Sequence, residues 1–146
     1  MKKRGNTLIE LLIYLSLASF IVVISFDLLI WVKKLDFKRK ENTIKYNELL
    51  NLSFYMEKEI EKRQEENILI TDNLIKIKKE EDQYIKIFKN KDKIFIDFNG
   101  KRTDTAATDI TEFKANKKDN LVYYKLKNSS KGEIIRCLKL KKGEVY

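Results

Sequence analysis

The chain has 146 residues, with 31 Lys and Arg against 22 Asp and Glu, a net charge of +9. It contains no histidine and no proline, and its single cysteine, Cys137, rules out an intramolecular disulfide and leaves the imidazole-base, nucleophile and zinc-site templates without their parts; no enzyme, cofactor or metal is expected. The length allows about one domain, and the basic balance favours anionic partners, although a chain rich in Lys, Ile and Asn also carries such charge as solvated surface.

In chain order, Lys2-Lys3-Arg4-Gly5-Asn6-Thr7-Leu8-Ile9-Glu10 places a basic cluster, a glycine and a lone carboxylate directly ahead of an apolar run. Residues 11–32 hold no Lys, Arg, Pro or Gly and a single charge, Asp27. At ~1.5 Å per residue they extend roughly 33 Å, enough for a hydrocarbon core of about 30 Å, so they are predicted to cross a membrane as one helix. A cleaved secretory signal has a shorter apolar region and a small-residue cleavage site. Here the run ends in Leu29-Ile30-Trp31-Val32 and passes straight to Lys33-Lys34, so it is expected to stay in the mature protein. Basic residues flank both ends, Lys2, Lys3 and Arg4 before it and Lys33, Lys34, Lys38, Arg39 and Lys40 after it, and charge alone does not set the orientation.

Residues 33–66 stay free of Gly and Pro and turn polar, with Leu49, Leu52, Met56 and Ile60 at helical spacing. Glu59 with Arg63, and Lys62 with Glu66, add ordered pairs four apart. The expectation is one continuous helix of about sixty residues, embedded over 6–32 and amphipathic over 33–66. From 67 to 146 the period changes. Ile68-Leu69-Ile70, 73–79, Ile85-Lys86-Ile87, 94–98, 121–127 and 133–140 are short and β-rich, and read as strands of an antiparallel meander. Thr71-Asp72-Asn73, 89–93, Asn99-Gly100, 117–120 and 128–132 carry turn chemistry, while 101–109 lacks clear periodicity and reads as a surface loop or an insertion. A sheet laid on the apolar stripe of the helix gives an α+β fold.

The opening stretch closely resembles the prepilin signal of type IV pilins and type II secretion pseudopilins. That resemblance implies a pilin-like fold and a leader of residues 1–5. It implies cleavage by a prepilin peptidase between Gly5 and Asn6, methylation of the new terminus at Asn6, and the family's glutamate at Glu10. It also implies a cytoplasmic N-terminus, an extracytoplasmic C-terminal domain, and assembly with other pilin or pseudopilin subunits through an inner-membrane platform. The family usually begins its mature chain with phenylalanine where this one has Asn6, and many members carry a proline in the apolar run. The absence of a C-terminal cysteine pair and of a Gly/Ser-rich variable region leans toward a minor pilin or pseudopilin of a secretion or competence system.

The residues support the same roles on physical grounds. A carboxylate near the end of an apolar helix costs on the order of 2 to 4 kcal/mol unless it finds a partner, and Asn6 and Glu10, four apart, share a helix face. Cleavage after Gly5 creates an amine at Asn6. In a packed filament that amine can meet Glu10 of a neighbour and make a wrong axial register costly. A reading of a different class is an uncleaved single-pass anchor in the lipid bilayer that presents a basic binding module.

Other features are less specific. Ser16, Ala18 and Ser19 offer a small surface for close helix approach, and Asp27 reads as interfacial. Lys76, Lys78, Lys86, Lys89, Lys91, Lys93, Lys101 and Arg102, with Tyr84, Phe88 and Phe95, have the composition of a DNA-binding patch. They also fit solvated lysines alternating with a core face, which is the expectation here. Cys137 is expected to be a small buried strand residue.

Overall fold

The computed structural model describes residues 3–71, 73–80 and 83–141, and its chain divides into two units, Met1–Glu41 and Asn42–Tyr146. Helix α1 (Lys3–Glu61) contributes to both. No Gly or Pro interrupts it after Gly5, and its Leu, Ile, Lys and Glu content suits a long helix. In the first unit every described side chain from 7 to 41 is exposed.

The second unit is α+β: the last turns of α1 lie against antiparallel sheets. Leu49, Leu52, Met56 and Ile60 are all 0–2 % exposed, so the stripe read from their spacing is the helical side of the core. The helix stops at Glu61, five residues before the expected end. The Arg63 N–H bonds back to the Ile60 carbonyl at 3.1 Å, the Arg63 guanidinium donates to the Lys79 carbonyl at 3.1 Å, and the Glu65 N–H donates to the Lys141 carbonyl at 3.1 Å. Residues 63–65 are thus held by distant backbone, which outweighs pairs worth a few tenths of a kcal/mol. Glu59 accordingly faces Lys79 at 3.7 Å rather than Arg63. A 3-10 turn, Glu65–Asn67, then leads into the strands.

Strands β1 (Ile68–Thr71), β2 (Leu74–Glu80), β3 (Gln83–Asn90), β4 (Lys93–Phe98) and β5 (Arg102–Ala107) form one five-stranded meander. Strands β6 (Ile110–Lys118), β7 (Leu121–Asn128) and β8 (Glu133–Lys139) form a second, three-stranded one. The inner face of the first sheet is largely isoleucine, with Ile68, Ile75, Ile77, Ile85, Ile87, Ile94 and Ile96 all buried, because β-branched side chains pack well on a pleated surface. The second sheet contributes Phe113, Val122, Tyr124 and Leu126. The β4–β5 turn places both Asn99 (φ 57°) and Gly100 (φ 66°) in the left-handed region, the requirement that Asn-Gly meets at least steric cost.

Three expectations for the strands are corrected. The segment 101–109 is mostly strand β5, its regularity hidden by short polar residues on both faces. Strand β6 begins at Ile110 and runs to Lys118, and a bulge between Ile110 and Glu112 shifts its alternation, so only Asp119 and Asn120 remain as the turn. The meander is also divided. Between β5 and β6, Thr108 donates to the Glu48 carboxylate through both its N–H and its hydroxyl, each at 3.0 Å, and Asp109, at φ 56°, pairs with Lys45. Two helix side chains hold the corner at which the chain leaves one sheet for the other.

Candidate functional site

The chemistry singled out in the sequence lies in two places. The first is the apolar part of α1. Residues 7–61 form one helix long and apolar enough to cross a membrane. Its large side chains from Leu8 to Val32 are each roughly half exposed or more. A helix apolar all round must be covered by lipid or protein.

The serines within it are already satisfied. Ser16 donates to the Ile13 carbonyl, Ser19 to the Ser16 carbonyl and Ser25 to the Ile21 carbonyl, each at 2.8 Å. Such back-bonding inside one helix removes the need for an outside partner, so these hydroxyls are compatible with hydrocarbon. Glu10 and Asp27 are exposed along this stretch. Asp27 is five residues, ~7.5 Å of helix, from Val32. Gly5 and Asn6 fall within the helical backbone of α1, and Met1 and Lys2 of the expected leader lie outside the described residues.

The second place is the outer face of the five-stranded sheet. Strand register sets Lys76 directly opposite Lys86 and Lys78 opposite Tyr84. The Lys76 ammonium lies 4.7 Å and that of Lys86 5.8 Å from the centre of the Tyr84 ring, both within cation–π range. Phe88 stacks on Phe95 with centroids 5.8 Å apart. Of the other candidate members of the basic patch, Lys89 donates to the Thr111 carbonyl at 2.6 Å, Arg102 pairs with Asp104 at 2.8 Å, Lys91 and Lys101 are turn residues, and Lys93 opens β4 opposite Asn90. The structure therefore gathers Lys76, Lys78, Lys86 and Tyr84 on β2 and β3.

Cys137 is exposed, against expectation. In β8 Ile134 and Leu138 point inward, so Cys137 shares the outer face with Ile135 and stands opposite Tyr123. The neighbouring Cys137 thiol is the main cause that holds the Tyr123 phenol above its ordinary pKa. Apolar residues on both faces of β8 blurred the alternation that would have set its register. Among the described residues no group of three or more His, Cys, Asp or Glu side chains could hold a metal ion.

Sequence reasoning also missed the contacts of Glu48, Lys45 and Ser53. A polar residue on an amphipathic helix carries no mark of the distant strand it will meet. Comparison of the chain with protein-family models, curated proteins and solved structures finds no match.

Proposed function

We propose that this chain is a structural subunit of a type IV pilus-like filament, a minor pilin or pseudopilin that is held in the membrane by residues 6–32 and then drawn into the filament through the same helix. The observation that carries the reading is the exposed apolar helix with Glu10 near its start, immediately behind Lys2-Lys3-Arg4-Gly5. Lipid covers that surface during storage, and neighbouring helices replace lipid on assembly.

In this reading a prepilin peptidase cuts between Gly5 and Asn6. The amine at Asn6, methylated or not, is then placed against Glu10 of an adjacent subunit. Pairing offsets the cost of holding each charge in an apolar setting, and a slipped register leaves both unpaired. The serine hydroxyls, satisfied within their own helix, leave Glu10 as the polar determinant near this end. The N-terminus is cytoplasmic and the sheet-bearing unit extracytoplasmic.

Intact-mass measurement on protein purified from native membranes tests the cleavage. A mature chain that starts at Asn6 with one extra methyl group is expected; retention of Met1 to Gly5 would overturn the reading and leave an uncleaved single-pass anchor. Glu10→Ala should insert and be cleaved normally but enter filaments poorly, measured as the ratio of filament-associated to membrane-held protein. An unchanged ratio removes the register role.

A further inference from the structure

The two sheets treat their outward lysines differently. On the three-stranded sheet two outward cations are neutralised by neighbours: Lys125 lies 3.1 Å from Glu112 and 2.9 Å from Glu133, and Lys114 lies 2.9 Å from Glu112. On β2 and β3, Lys76 and Lys86 face each other directly, a like-charge juxtaposition that weakens a strand pair. Neither they nor Lys78 form an ion pair or hydrogen bond among the described residues; Lys76 and Lys86 share the face of one tyrosine. Asp97 is opposite Lys86 on β4, but its carboxylate accepts from the Gly100 N–H at 2.9 Å. Lys76 and Lys86 thus lie over one ring with Lys78 at the next outward position of β2, and among the described residues no acid pairs with any of the three, an arrangement that a bound anion would relieve.

Beside these lysines opens a recess of about 350 Å³, at the small end of the ~300–1,000 Å³ range of ligand pockets. Its apolar lining comes from Tyr84 and from Leu69, which is 57 % exposed. Two side-chain amides, Asn67 and Gln83, and one carboxylate, Glu66, complete it.

We propose that this face binds a single nucleic-acid strand, with Lys76, Lys78 and Lys86 taking backbone phosphates and the recess taking one unpaired base. Amides beside an apolar floor suit the hydrogen-bonding edges and flat body of a base. Glu66 repels phosphate, which directs the backbone to the lysine side, and accepts from an exocyclic amine such as that of cytosine. A layer of lipid headgroups shares the phosphate chemistry but has no flat group with amide-matching edges to fill the recess. A duplex keeps its bases stacked, out of the recess's reach. The proposal does not depend on filament assembly.

The test uses the full chain in nanodiscs of neutral lipid, titrated with a fluorescein-labelled oligodeoxycytidylate and followed by anisotropy over a range of salt. Binding that salt weakens is expected. In the variant Lys76→Gln/Lys78→Gln/Lys86→Gln the slope of log K against log salt should shrink by about 2, since each phosphate contact to a single strand contributes about 0.7, and affinity at low salt should fall by about tenfold or more. Lys114→Gln on the other sheet should leave both unchanged. A second measurement does not rely on the variants folding: photocrosslinking of the unaltered chain to 5-iodocytidine-substituted strand should label Tyr84. Absence of binding at low salt, an unchanged slope in the triple variant, or crosslinks only at other residues would overturn the proposal. So would a triple variant that loses association with anionic vesicles while it keeps the oligonucleotide, which would assign the face to a membrane surface.

Discussion

The contact that ties α1 to the three-stranded sheet can be tested by a double-mutant cycle at Ser53 and Tyr124. Both side chains are buried, at 0 % and 2 % exposure. The Tyr124 hydroxyl donates to the Ser53 carbonyl at 3.2 Å and stands 2.9 Å from the Ser53 hydroxyl. Tyr124→Phe removes the shared oxygen and leaves the Ser53 hydroxyl buried without its partner, at a cost of about 1 to 2 kcal/mol. Ser53→Ala leaves the tyrosine its carbonyl acceptor and gains roughly 0.5 kcal/mol of helix propensity, so its net cost should be smaller, about 0.5 kcal/mol. In the double variant no polar group is stranded, so the combined cost should not exceed that of Tyr124→Phe alone, with a coupling of about 1 kcal/mol.

Urea unfolding of the full chain in detergent, followed by near-UV circular dichroism of tyrosine, reads these differences; the single tryptophan, Trp31, lies in the apolar run and does not report on the sheets. A 1 kcal/mol change corresponds to about 4–8 °C in Tm for a domain of 60–100 residues. The same residue predicts an alkaline effect. Burial is the main cause that pushes the Tyr124 phenol up to about 12 from 10.0. Between those values the unfolded chain gives up this proton while the folded chain keeps it, so stability falls as pH rises through that window. Tyr124→Phe should flatten the fall without abolishing it, because Tyr55 is also raised to about 12, first by burial and then by Glu59. Single costs that add within about 0.3 kcal/mol in the double variant would refute the reasoning, since independent sites add to that precision.

Two further outcomes follow from the second unit. Glu112 is held down at about 2, first by its hydrogen bonds from Lys114 and Lys125, so its carboxyl resonance should titrate near that value, with its stabilising contribution present above the usual 4.5 and lost as pH falls through about 2. Lys125→Met should move the midpoint upward, and an unmoved midpoint would show that the ion pair is not populated in solution. Gly132→Ala should destabilise by about 1 to 2 kcal/mol through overpacking. Its Cβ would stand 3.0 Å from both the Asn128 side-chain oxygen Oδ1 and the Tyr46 ring, and that buried oxygen already accepts from the Gly132 N–H at 2.7 Å. Equal or raised stability in urea would mean that both neighbours yield freely.

The sequence alone determined what depends on near neighbours. The uninterrupted helix, the span of 11–32 and the stripe at Leu49, Leu52, Met56 and Ile60 follow from periodicity, and the Asn99-Gly100 turn follows from backbone sterics. Glu10 stands out because a lone carboxylate at the start of an apolar helix is costly in any fold. Tertiary structure decided the rest, through contacts between residues far apart in the chain. The helix ends at Glu61 because Arg63 and Glu65 are held by the backbone of residues 79 and 141. One meander becomes two sheets where Glu48 captures Thr108, 60 residues away. Cys137 faces outward because register sets which face of β8 is buried, and its apolar pattern does not. Eight basic residues looked equivalent in the sequence, yet strand pairing brings Lys76 and Lys86 over one tyrosine and sends Lys89 and Arg102 to other partners. A linear pattern specifies which residues alternate; only the register of distant strands decides which charges meet.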